Sequence, residues 1–159
     1  MQFPTTTSRR QKNLHLTARL LSEAIRLLCI FLMCYTAFAK LGDHDRFVFD
    51  LQSVSLVRPY ALALSWAVPA TELAIAAMML PEATARKGLY AFLGLMGVFT
   101  IYIACMLIWI PKLPCSCGGA VSKLSWTQHI WFNLAFMALA TLALGLEIFE
   151  HIRLRHRHV

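Results

Sequence analysis

Four long apolar segments dominate the sequence and constrain its fold more than any other feature. They run from about 22 to 41, 60 to 80, 88 to 110 and 126 to 149, and each has the roughly 18 to 25 residues that a spanning helix needs. In lipid the backbone must satisfy its own hydrogen bonds, which favours helices. Transmembrane β-strands would alternate apolar and polar residues, and these segments do not. The sequence therefore predicts an all-α, four-helix transmembrane bundle.

The composition excludes the other broad classes of protein. The chain has 159 residues, of which 58% are hydrophobic and 14% charged, whereas soluble domains carry roughly 25% charged residues. Four spans leave no room for a separate soluble catalytic domain. The polar stretch before the first span, and the lack of a small-residue cleavage site, indicate a retained span rather than a signal peptide. We expect an N-terminal tail over 1–21, the bundle over 22–149 and a basic tail over 150–159.

The distribution of basic residues predicts the orientation. Nine Lys and Arg residues lie in the two tails and between the second and third spans, against five on the other side. The positive-inside rule then puts both termini in the cytoplasm, and the loops 42–59 and 111–125 face the periplasm from an inner membrane. Basic residues that flank spans contact anionic lipid. The net charge of +7 is therefore interpreted as a topology signal, and nucleic acid is not an expected partner.

Two local patterns predict further helical structure. Ser125 and Gln128 have the spacing of a capping box, which predicts that the fourth span begins at about Trp126. In the first outward loop, residues 47–57 are apolar at mixed spacing. This segment is interpreted as a short helix that lies on the membrane and caps the bundle.

A Cys-x-Cys motif is the main chemical signal. Cys115 and Cys117 lie in the second outward loop and are followed by two glycines. The predicted compartment permits disulfides. A Cys-x-Cys ring is strained, and strained, exposed disulfides tend to be labile or catalytic. His129, in the first turn of the fourth span, is a candidate proton donor or acceptor. A structural disulfide, two idle thiols and half of a metal site are the alternatives.

The remaining cysteines lie within spans. Cys34 and Cys105 are each predicted roughly 8–9 Å below the outward surface. If the first and third spans are adjacent, these thiols could form a second redox pair that passes electrons from the loop into the membrane. The alternative is that they only pack, as lone cysteines in apolar helices usually do. Cys29 lies deeper and is expected to pack.

Glu72 is the costliest residue to bury, about 18 Å from the outer end of the second span. An ionisable group at that depth is a functional hypothesis by default. Arg26 is predicted at a similar depth, so an Arg26–Glu72 ion pair is one interpretation. In the functional alternative, Glu72 lies near a kink at Pro69 and lines a quinone or proton site.

Three other polar residues complete the candidate site. Lys40 is expected to extend its ammonium to the outer surface, or else to point it at the cysteine loop. His129 and Asn133 are four residues apart, so they share a helix face, which we expect to point into the bundle.

Several motifs together resemble the MauE/DoxX family of small redox-associated membrane proteins over about residues 24–145. They are Tyr35–Leu41, Val68–Leu73, Phe99–Ile103, Pro114–Gly119, Trp126–His129 and Phe132–Asn133. The resemblance implies a four-helix membrane bundle. Its methylamine-utilisation branch implies disulfide formation in an exported partner, and its DoxX branch implies quinone-linked sulfur oxidation. The cysteine pair corresponds to Cys115 and Cys117, and Lys40, Glu72, His129 and Asn133 fall on recurrent polar positions.

The predicted function is thiol–disulfide redox chemistry that supports disulfide formation or maturation of an exported, cysteine-containing partner. Cys115, Cys117 and His129 would act in it, and a membrane quinone is the expected electron acceptor. No metal is expected in this interpretation. A non-enzymatic maturation or assembly factor with a structural disulfide is the first alternative. The second is a metal transporter or metallochaperone that uses Cys115, Cys117 and His129.

Overall fold

A computed structural model describes residues 6–55, 57–109 and 125–155, and within these ranges the chain forms helices and no strand. The elements, in chain order, are α1 (Thr6–Gly42), α2 (His44–Ser53), a 3-10 turn (Arg58–Tyr60), α3 (Ala61–Met79), α4 (Glu82–Trp109) and α5 (Trp126–Arg155).

Among the residues that the structure describes, four segments are long and apolar enough to cross a membrane: Leu14–Gly42, Arg58–Met79, Glu82–Ile108 and Thr127–Phe149. The predicted all-α bundle with four candidate spans is therefore confirmed. The first span is part of a longer helix, because α1 already begins at Thr6.

The helix ends follow local signals in the sequence. The capping box that starts α5 is formed, since Ser125 N donates to Gln128 Oε1 at 2.8 Å and Gln128 N donates to Ser125 Oγ at 3.3 Å. A short helix is also present in the first loop, where α2 begins at His44, a few residues before the predicted segment. Its Phe47 is buried and its Phe49 is exposed, so α2 packs one side against the bundle.

The four long helices form an antiparallel ring. Both α1 and α4 contact α3 and α5, which places α1 and α4 opposite each other, while α2 packs on α3. One end of the bundle contains α2 and the last residues of α1 and α4, and we call it the α2 end. We call the opposite end the terminal end. The core is built from apolar residues of all four helices, among them Met33, Met79, Phe92 and Ala140. Large apolar side chains remain exposed around the outside, as lipid contact requires.

Two helices approach each other closely near the terminal end, where α3 meets α4. A Cβ atom added to Gly88 would lie 2.6 Å from Met79 Cγ and 2.9 Å from Met79 N, so only glycine allows this approach. Ion pairs join other helices at the same end. Arg19 of α1 contacts Glu82 of α4 at 3.1 Å, and Arg86 of α4 contacts Glu147 of α5 at 3.8 Å.

Candidate functional site

A buried ion pair between α1 and α3 is the centre of the candidate site. Lys40 Nζ donates to Glu72 Oε1 at 2.7 Å, and the side chains are 14% and 1% exposed. The ammonium also donates to the carbonyl oxygen of Thr36 at 3.4 Å and lies 5.8 Å from the centre of the Phe99 ring. A carboxylate, a backbone carbonyl and an aromatic face thus compensate the buried cation.

The predicted Arg26–Glu72 pair is wrong, because Arg26 donates to Glu23 on its own helix. Helical side chains lean toward the N-terminus of their helix. Since α1 and α3 are antiparallel, Lys40 leans toward the terminal end and Glu72 leans toward the α2 end, so the two side chains converge. Arg26 leans away from Glu72. The expectation that Lys40 extends to the outer surface is also wrong, because its side chain leans into the bundle toward Glu72.

One oxygen of this pair has no partner. Glu72 Oε2 is buried and, among the residues that the structure describes, accepts no hydrogen bond. Pro69, also buried, precedes Glu72 by one turn on the same face of α3. Proline has no amide hydrogen to donate to the carbonyl of Ser65, four residues earlier. This stretch of α3 therefore presents more hydrogen-bond acceptors than donors.

Asn133 belongs to the neighbourhood of the pair. Its side-chain amide donates to Thr100 Oγ1 at 3.3 Å, and Thr100 follows Phe99, whose ring faces Lys40. Asn133 is buried, as expected of a residue that faces the bundle. His129, one turn closer to the α2 end, is half-buried. Three of the recurrent polar positions, Lys40, Glu72 and Asn133, therefore lie around one interior region.

The structure does not form the predicted second redox pair, since Cys34 and Cys105 are free thiols. They lie on α1 and α4, which are opposite in the ring. The contact between Lys40 and Phe99 sets the register of these helices, and at 1.5 Å per residue it separates the two cysteines by about 18 Å along the bundle. The prediction failed because it aligned the helix ends, whereas α4 extends further than α1. Cys29 is fully buried in the core, as expected.

A second polar contact, which the sequence did not indicate, lies between the pair and the α2 end. His44 Nε2 is 3.1 Å from Ser65 Oγ, and the His44 ring packs against Trp66 with centroids 4.5 Å apart. Ser65 is fully buried. A retrospective signal exists, because Ser65, Pro69, Glu72 and Ala76 recur at helical spacing and share one face of α3.

The Cys-x-Cys motif is placed by connectivity alone. Cys115 and Cys117 lie outside the described residues, in the segment that connects α4 to α5. Within the described ranges, no group of three or more His, Cys, Asp or Glu residues could hold a metal ion. The described interior offers hydrogen-bonding groups, centred on Glu72 and its polar neighbours.

Comparison with known proteins gives one match. The family model of the methylamine utilisation protein MauE matches residues 18–146. No curated protein and no solved structure matches the chain. The matched range begins inside the first candidate span and ends three residues before the end of the fourth. It includes both Lys40 and Glu72.

Proposed function

The chain belongs to the family of the methylamine utilisation protein MauE, and we propose from this premise that it matures an exported partner by thiol–disulfide exchange at Cys115 and Cys117. Membership implies a role in methylamine utilisation, and the helices are those of a multi-pass membrane protein. Our proposal adds four things to family membership: the thiol–disulfide exchange, the exported partner, the inner membrane and the periplasmic side of the loop. The Cys-x-Cys motif at the connection between α4 and α5 is the observation that carries them.

The proposed cycle begins with a Cys115–Cys117 disulfide. A thiolate of the partner attacks one sulfur, and the other cysteine leaves as a thiolate, which gives a mixed disulfide. A second partner thiolate then breaks the mixed disulfide. The partner gains a disulfide, and two electrons and two protons pass to Cys115 and Cys117. His129, at the first turn of α5, is our candidate for transferring these protons.

Reoxidation needs an electron acceptor, for which we propose a membrane quinone. The described residues fit such a ligand, because Lys40 is a donor, Glu72 Oε2 is a free acceptor and Phe99 supplies an apolar ring beside them. When bound, a quinone would supply a sink for two electrons. The protein would contribute by orienting the polar groups of the quinone within the bundle.

Thiol trapping in cells tests the proposal. Membranes are quenched with acid, free thiols are alkylated, and the redox state of the cysteines is compared with the quinone pool oxidised and reduced. We expect Cys115 and Cys117 to change state with the pool, and Cys115→Ser to leave the partner reduced. Cys105→Ser is the matched control, since Cys105 is a free thiol on α4, and it should leave the partner oxidised.

Each alternative function has its own outcome. If the pair stays oxidised in every respiratory state, and Cys115→Ser and Cys117→Ser each still mature the partner, the disulfide is structural and the exchange proposal fails. If purified protein instead contains stoichiometric zinc or copper that His129→Ala removes, the chain handles metal.

A further inference from the structure

The free oxygen of Glu72 is the starting point. Lys40 bonds Oε1, and Oε2 lies inside the bundle without a hydrogen-bond partner among the described residues. Glu72 is 1% exposed. A buried acceptor without a donor is energetically costly, and a proton placed on Oε2 makes that oxygen a donor. The acceptors already present on this face of α3 could then receive its hydrogen bond.

A polar connection leads from this oxygen toward the α2 end. Ser65 precedes Glu72 by two helical turns on the same face of α3, and the Glu72 side chain leans toward it. The Ser65 hydroxyl donates to the carbonyl of Leu62 at 2.8 Å. It therefore accepts from His44 Nε2, at 3.1 Å. A hydroxyl that both donates and accepts can pass a proton by exchanging its bonds.

His44 is suited to the outer position in this connection. It lies at the first residue of α2, half-buried, and is therefore reachable by water from the α2 end. Between His44 and Glu72, Pro69 lacks the amide hydrogen that would bond the Ser65 carbonyl in a regular helix. Water between this carbonyl and Glu72 would complete the connection.

We propose that Glu72 is a proton-exchange site inside the bundle, connected to the α2 end through Ser65 and His44. A proton from water at the α2 end binds Glu72 Oε2, so the Lys40–Glu72 pair changes from net neutral to a single positive charge. The proton returns by the same route. The proposed quinone would contact the same Lys40 and Glu72, but proton exchange at Glu72 is measured without quinone or cysteine turnover, so the two proposals can fail separately.

The groups that the structure describes around Glu72 come from several helices. Lys40 from α1 contacts Glu72, and His44 from α2 contacts Ser65. Phe99 and Thr100 of α4, and Asn133 of α5, are uncharged. Between Gly88 and Trp109, α4 has no Asp, Glu, Lys, Arg or His, and its weaker acids include the half-buried Tyr102 and Cys105, nearer the α2 end.

Infrared spectroscopy of the full chain in lipid nanodiscs tests the proposal. The carbonyl stretch of a protonated carboxylic acid is followed as pH is changed, and its deuterium exchange is timed after a change to heavy water. We expect one buried acid band that titrates and that Glu72→Gln abolishes. Glu23→Gln is the matched control, because Glu23 is paired with Arg26 on α1, and it should keep the band.

Two further variants test the route and the pair. His44→Gln, which retains a side-chain donor, should slow exchange of the Glu72 band roughly tenfold or more, since a positioned proton-transfer group is worth at least that factor. Lys40→Met should keep the acid band present up to higher pH. The proposal is overturned if no band titrates, if Glu72→Gln leaves the band, or if His44→Gln exchanges at the original rate. The Cys115→Ser/Cys117→Ser double variant should retain the band and its exchange rate.

Discussion

Replacing Lys40 with methionine would leave the Glu72 carboxylate, 1% exposed, without its cation. Removal of one partner from a buried ion pair costs about 3–5 kcal/mol. Because Glu72 can take a proton instead of remaining charged, we expect the lower end, about 3 kcal/mol. Glu72→Gln should cost less, about 1–3 kcal/mol, since the Lys40 ammonium keeps the Thr36 carbonyl and the Phe99 ring.

The double variant is the informative one. Lys40→Met/Glu72→Gln removes both charges, so its cost should fall below the sum of the single costs by about 0.5–3 kcal/mol, the range for residues in direct contact. Reversible unfolding in detergent micelles, followed by helical circular dichroism, gives the free energies of unfolding. The exposed pair Arg19–Glu82, with side chains 62% and 75% exposed, is the control, and Arg19→Met should cost less than about 1 kcal/mol.

Additive single costs would refute the reasoning. If the double variant equals the sum of the singles within about 0.5 kcal/mol, Lys40 and Glu72 do not interact energetically. If Lys40→Met costs no more than Arg19→Met, burial of the pair has no energetic consequence. Either result would remove the basis for treating this part of the bundle as a site.

Three other outcomes are expected. Gly88→Ala should lower the free energy of unfolding by about 1–3 kcal/mol, because the new Cβ would collide with Met79, whereas Gly94→Ala, with nothing within 4 Å of the added atom, should not be destabilising in the same assay. Asn133→Leu should lower the free energy of unfolding by about 0.6 kcal/mol, because the hydrogen bond to Thr100 is lost. The double variant Asn133→Leu/Thr100→Val should have the same free energy of unfolding as Asn133→Leu. A reporter enzyme that works only outside the cytoplasm should be inactive when fused after the last residue, and activity there would reverse the predicted orientation.

The spans and the α5 cap could be predicted because their signals are local. Hydropathy over some 20 residues identifies a span wherever it lies in the bundle. The bonds between Ser125 and Gln128 depend on a separation of three residues in one chain segment. Neither prediction required knowledge of which helices are neighbours.

The partners of the buried charges could not be predicted, because they depend on register and on side-chain direction. Counting residues from the helix ends put Arg26 beside Glu72, and it put Cys34 level with Cys105. The first estimate omitted the lean of side chains toward the N-terminus, which moves the polar ends of Lys40 and Glu72 toward each other. The second assumed that α1 and α4 end at the same height, whereas α4 continues past the level of Lys40.

The close approach of Gly88 to Met79 also has a mechanical consequence. The close contact of the α3 and α4 backbones at Gly88 leaves these two helices little room to separate at the terminal end. When two helices are held together at one end, a small rotation there displaces their other ends by a larger distance. We therefore expect thermal opening of the bundle to be greatest at the α2 end. A protein that binds at the α2 end would contact the part of the bundle that opens more easily. It would leave the contact between Gly88 and Met79 in place.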